Sequence, residues 1–114
     1  MKFGDIVLLS HPATDYKSIK LRPALIISTD RYNERESDRI LLPISKNIMR
    51  DCPDDILIKD SDRLFPTTGL KVSSVIRVGK IFTADICVIK RRLGRVSDEI
   101  LNQVREKIKK VLGL

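Results

Sequence analysis

"CVIKRRLGRVSDEIL", residues 87–101, passes from a strand to a helix within one residue. The first ten of these residues read as a last strand with a basic outer face. Ser97 then stands where a helix N-cap belongs. Its hydroxyl can accept from an open backbone N–H, and Asp98 and Glu99 suit the positive end of the helix dipole. Farther on, Ile100, Leu101, Val104, Ile108, Val111 and Leu112 form one apolar stripe, and Gly113 closes it. The chain therefore ends strand-then-helix, and its fold depends on what precedes that pair.

Five earlier segments read as strands: "FGDIVLLS" (3–10), "PALIISTD" (23–30), "ILLPISK" (40–46), "DDILIKD" (54–60) and "LKVSSVIRVGKI" (70–81). Pro23 is tolerated at a first strand position, whereas Pro43 inside its segment implies an edge or a bulge. Between them, "HPATDYKSIKLR" (11–22) reads as a surface loop, "RYNERESDR" (31–39) as a charged connector and "LFPTTG" (64–69) as a turn. There is no internal repeat or low-complexity segment. Several short strands followed by one helix imply a mainly β (α+β) fold, a compact β-barrel or half-barrel closed by the C-terminal helix.

Length bounds this to a single domain, 1–114, with one modest core. Charged residues at 32% against 42% hydrophobic favour a folded chain, and the net charge of +7 favours a polyanionic partner. No apolar run is long enough to cross a bilayer, and the N-terminal stretch reads as a strand, not a signal peptide. A cytoplasmic location with no membrane partner is expected. Cys52 and Cys87 are far apart and are expected to be reduced, filling small apolar spaces. With His11 as the one histidine, no spacing suggests a metal site, and no cofactor is expected.

The order of "GDIVLLS" (4–10), "RPALIIS" (22–28), a strand ending "PIS" (43–45), "SSVIRV" (73–78), "TAD" (83–85) and "LGRVSDEIL" (93–101) resembles the MazF/PemK family of toxin–antitoxin ribonucleases. The similarity covers essentially the whole chain; Gly4-Asp5, Arg22-Pro23 and "LGRVSDE" are its most specific pieces. It implies an SH3-like barrel that pairs as a homodimer. It also implies metal-independent, sequence-specific cleavage of single-stranded RNA, inhibited by an acidic antitoxin protein.

Cleaving RNA without a metal requires that the 2′-OH be deprotonated, the phosphorane charge stabilised and the leaving 5′-oxygen protonated. The products are a 2′,3′-cyclic phosphate and a 5′-OH. Arg22 suits the second task, since its planar fork binds two phosphate oxygens, and Pro23 biases it towards extended backbone. The family arginine at this place is catalytic, so the resemblance assigns that role to Arg22; the alternative is a solvated strand-edge arginine. Ser45 falls where the family carries Thr or Ser, and its hydroxyl can donate to the scissile phosphate or simply bond its own backbone. Asp15, Tyr16, Lys17 and Lys20 are candidate RNA contacts in the first loop, with Tyr16 offering a stacking face. Arg77 matches a family basic residue, and Lys80 follows it. "KRRLGR" (90–95) is the densest basic run, read as a solvated face or a partner surface. Asp85 reads as a turn residue bonding backbone.

Two positions depart from the family pattern. Gly79 stands where well-studied members carry an acidic residue proposed as general base, and Phe82 replaces a usual basic one. Replacement bases would be Asp15 or His11. The missing carboxylate keeps a second reading open, an RNA-binding module without catalysis. A third is a CcdB-like poison of DNA gyrase on the same fold. Such proteins use a tryptophan-containing tail, whereas this chain has no Trp and ends "VLGL".

Overall fold

The strand β1 (Asp5–Pro12) is antiparallel to β2 (Ile19–Ile26) on one side and to β7 (Ile89–Arg95) on the other. The computed structural model describes residues 1–12 and 19–114, with the backbone alone at 11, 12 and 19. Between β2 and β7 the chain forms α1 (Asp30–Arg35), β3 (Asp38–Ser45), β4 (Asp55–Ile58), α2 (Phe65–Thr68), β5 (Ser74–Arg77) and β6 (Phe82–Asp85); α3 (Asp98–Leu112) follows. The strand order is β4-β5-β3-β2-β1-β7, with β6 also paired to β3.

Both faces of the central strands are buried, which is why Ile6-Val7, Leu25-Ile26 and Leu41-Leu42 are apolar in succession. Ile6, Leu25, Leu42, Ile44 and Ile76 face α3, meeting Leu101 and Val104. Val7, Leu9, Ala24, Ile26, Leu41 and Ile89 form a second cluster on the opposite face, covered by Phe82, Ala84 and Val88. The single core expected from length is thus two layers sharing one set of strands.

Closure into a barrel is not seen in the pairing. Among the described residues β4 and β7 end the ladder path and no strand pairing joins them. The space between is filled by α2, which packs on β7 so tightly that glycine is required on both sides. A Cβ on Gly94 would lie 2.3 Å from the Thr67 carbonyl oxygen, and one on Gly69 2.1 Å from that of Leu93. Gly69 also takes φ +73° as the cap of α2. The sheet curls through two register shifts between β1 and β7, at Ile6/Val7 and Leu8/Leu9.

Several boundaries differ from the sequence reading. The first loop is shorter, because His11 and Pro12 pair with Lys20 and Ile19 in the β1–β2 ladder. The connector at 31–39 contains α1, whose Thr29 cap accepts from the Tyr32 N–H and which buries no residue. Side-chain bonds hold it instead: Tyr32 Oη donates to Asp38 Oδ1 (2.6 Å) and Asn33 Nδ2 to the Ser28 carbonyl (3.0 Å). Of the long strand expected at 70–81, Ser74–Arg77 is β5 and residues 78–80 form a single turn; β6 begins beyond it at Phe82. Pro43 lies on no edge. On the side away from β2, residues 38–41 pair with β6 and residues 44–45 with β5, so the proline, lacking an N–H, falls where β3 changes partner. The helix α3 matches expectation: Ser97 accepts from the Ile100 N–H and Gly113 closes it at φ +72°.

Candidate functional site

Four strands place their side chains on one face through the alternation of β-structure. In the β2–β3 ladder Ala24 opposes Pro43. Arg22 lies two residues before Ala24 and Ser45 two beyond Pro43, so alternation puts both on the face of that pair, just past the end of the ladder. Ser45 in turn opposes Val75, and Arg77, two residues on, opposes Asp55. Paired residues share a face, so Arg22, Ser45, Arg77 and Asp55 all project away from the face of Leu25, Ile44 and Ile76 that packs under α3. Lys20, two residues before Arg22, belongs to the same row.

Arg22, which the sequence reading placed at the end of the first loop, sits within β2, opposite Leu9, and is exposed. Ser45 ends β3 half-buried, and its Oγ accepts from the Asn47 N–H at 3.1 Å. With an acceptor site filled from within the turn, its hydroxyl hydrogen is left to donate outward. Arg77 is half-buried, and its Nε is enclosed without a hydrogen-bond partner. Lys20 and Lys80 are exposed, Lys80 closing the single turn at 78–80. Asp15, Tyr16 and Lys17 lie outside the described residues. So does any loop-borne base among them, and of His11 only the backbone is described.

Two residues that sequence reading passed over complete the arrangement. Asp55 is paired not to its cross-strand neighbour Arg77 but to Arg50, whose Nε donates to Oδ2 at 2.9 Å. This bond to Asp55 raises the Arg50 pKa above its ordinary value. The pair is local, five residues apart across the turn that leads into β4, but neither residue belongs to a motif that marks it. Arg22, Arg77 and Lys20 have no ion pair among the described residues, so the face is cationic with its carboxylate already engaged. Gly79 is exposed, and a Cβ there would meet nothing within 4 Å.

Other basic groups are committed to the fold. In "KRRLGR", Arg92 and Arg95 lie 3.1 and 3.8 Å from the buried Asp5 carboxylate, and Arg95 donates to the Phe3 carbonyl. Asp5 also accepts from the Lys2 N–H, and Gly4 takes φ +88°, which gives Gly4-Asp5 a structural purpose. On α3, Arg105 lies over the Phe3 ring at 5.2 Å and Lys107 donates to the Pro53 carbonyl. Asp85 accepts from the Cys87 N–H as expected, and that bond holds its carboxyl below the usual value. Cys87 itself is exposed, contrary to the reading of both cysteines as buried fillers; neither cysteine is in a disulfide. No helix among the described residues is long and apolar enough to cross a membrane, and no group of three His, Cys, Asp or Glu side chains there could hold a metal ion.

Comparison with known proteins finds close structural likeness at low identity. A MazE–MazF structure from Deinococcus radiodurans superimposes with a TM-score of 0.80 at 21% identity, covering 100% of this chain and 96% of that one. The Mycobacterium tuberculosis toxin MazF-mt6 gives 0.77 at 19%, covering 96% and 97%. A mycobacterial endoribonuclease in complex with its cognate antitoxin gives 0.77 at 19%, covering 100% and 96%. No match is found among curated proteins. Residues 2–112 match the family described as PemK-like, MazF-like toxin of type II toxin-antitoxin system. A mainly antiparallel sheet with a C-terminal helix, matched along nearly its whole length, therefore makes this chain a member of the PemK/MazF-like family of type II toxin–antitoxin toxins.

Proposed function

We propose that this protein is a metal-independent endoribonuclease that cuts single-stranded RNA at specific sequences, leaving 2′,3′-cyclic phosphate and 5′-OH ends. The observation that carries this reading is the row of donors on one face that donate to no partner among the described residues: Arg22, Ser45 and Arg77, with the Arg77 Nε enclosed. The 2′-oxygen attacks phosphorus, losing its proton, and the bond from phosphorus to the 5′-oxygen breaks as that oxygen is protonated. Arg22 binds the non-bridging oxygens as charge builds on them, and the Ser45 hydroxyl donates to one of them. Arg77 holds a neighbouring phosphate, and Lys20 and Lys80 extend the electrostatic track. Asp15, Tyr16 and Lys17 belong to this proposal as RNA contacts by their place in the sequence.

The protein works as a homodimer in the cytoplasm and is silenced by an acidic antitoxin; a structural relative found with its cognate antitoxin supports that partner. The open position at Gly79 favours a second reading, an RNA-binding module without cleavage. Incubating wild type and Arg22→Ala with mixed-sequence single-stranded RNA in EDTA separates the two. Discrete fragments with cyclic phosphate ends, absent with the variant, are expected. Intact RNA that is nonetheless retarded by the wild type would support the binding module instead.

A further inference from the structure

Arg77 and Asp55 are direct partners in the β4–β5 ladder. Side chains so placed have Cβ atoms about 5 Å apart, well within the span of an arginine–carboxylate pair. Opposite charges at such positions ordinarily close on each other. Here they do not: the Asp55 side chain, only 7% exposed, pairs with Arg50, and the Arg77 Nε is enclosed without a partner. A buried carboxylate must be paired, so one of the two arginines has to hold it. Because Arg50 does, Arg77 stays free on the face that carries Arg22 and Ser45.

We infer that Arg50 is a positioning residue: by occupying Asp55 it withholds that carboxylate from Arg77 and keeps the Arg77 guanidinium available for a nucleic-acid phosphate. This rests on the proposed RNA-binding face, but the competition between the two arginines can be read without RNA. Removing Arg50 leaves Asp55 buried and unpaired, and Arg77, its register partner, turns inward to meet it. The binding face then loses a cation that was not itself altered. A direct RNA contact by Arg50 would behave differently, because neutralising Asp55 would not compensate for its loss.

The test uses a fluorescein-labelled 2′-O-methyl RNA of mixed sequence, which lacks the attacking hydroxyl and cannot be cut, with affinity read by anisotropy. R50Q and R77Q are each expected to bind about tenfold more weakly and to lower the salt slope by about one contact. R50Q/D55N is expected to return to within about threefold of wild type, since no carboxylate remains to draw Arg77 away. A double variant as weak as R50Q overturns the inference. In parallel, NMR of the Arg77 Nε–H should show slowed solvent exchange in R50Q and wild-type exchange in R50Q/D55N; unchanged exchange in R50Q overturns it as well. If R50Q does not fold, D55N decides: affinity retained supports the inference, and a loss above about threefold overturns it. A wild type that ignores the probe while the exchange pattern appears would sink the RNA reading and leave the arginine competition standing.

Discussion

The α-carbon of Gly94 lies against the carbonyl oxygen of Thr67, so closely that a methyl group on Gly94 would come within 2.3 Å of it. This contact, with its counterpart between Gly69 and Leu93, seals the side of the sheet that strand pairing leaves open. Neither neighbour is a flexible side-chain end, so the backbone itself would have to move. Gly94→Ala and Gly69→Ala should each destabilise the protein by about 3 kcal/mol, seen as a lower urea midpoint at unchanged slope. Wild-type midpoints would show that α2 is free to lift from β7.

Asp5 is the buried end of an ion cluster whose other members are half in water. Asp5→Asn keeps the shape but removes the charge that Arg92, Arg95 and the Lys2 N–H all address, and should cost about 2 kcal/mol. Arg92→Ala should cost under about 1 kcal/mol, because its partner keeps other donors and the arginine is itself solvated. Equal losses from the two variants would show that Arg92, not Asp5, anchors the N-terminal turn.

Gly79 offers room where the family resemblance expects a carboxylate. Its φ is not in the left-handed region and a side chain would meet no atom, so Gly79→Glu should change stability by no more than about 0.5 kcal/mol. Under the proposed chemistry it should also raise the single-turnover cleavage rate by supplying a base, by about tenfold or more. A stable variant with unchanged rate would mean that the base already resides elsewhere, as on the segment holding Asp15.

Asp85 and Cys87 perturb each other in opposite directions. The Cys87 N–H and side chain bond to the Asp85 carboxylate and hold it below its ordinary 3.8. Its contribution to stability is therefore complete above about pH 3.8 and fades as pH falls through the lower folded value. The Cys87 amide resonance should titrate with an inflection below 3.8; one above it would contradict the bond. The same carboxylate pushes the Cys87 thiol above its ordinary value, so Asp85→Asn in a Cys52→Ser background should speed alkylation by iodoacetamide at pH 8.5.

Local signals carried part of the fold and little of the site. The helix α3 was legible because its cap, charged first turn, apolar stripe and terminal glycine are all contiguous. α1 was not, although Thr29 and Asp30 mark its start, because it buries nothing and so shows no periodicity. β5 was drawn too long, since Val78 and Ile81 carry the apolar pattern across a turn that the backbone, not hydropathy, defines, and the short β6 beyond it was not read as a strand. Arg22 stood out by its proline and by resemblance. Its relation to Ser45 is a matter of register between strands, which no window of sequence contains. The Arg50–Asp55 pair lies within six residues but in an irregular turn with no periodicity to mark it, and Cys87 was misjudged because a cysteine outside a disulfide looks apolar wherever it sits.

β1 is buried on both faces, yet one of its two neighbours, β7, follows β2 only after six intervening helices and strands. During synthesis the hairpin of β1 and β2 must wait for residues 89–95 to leave the ribosome before its open edge is covered. Such non-local closure is slow compared with forming a hairpin, and an uncovered apolar edge invites other chains. The face holding Arg22 thus reaches its final shape only after residues 89–95 have joined the sheet.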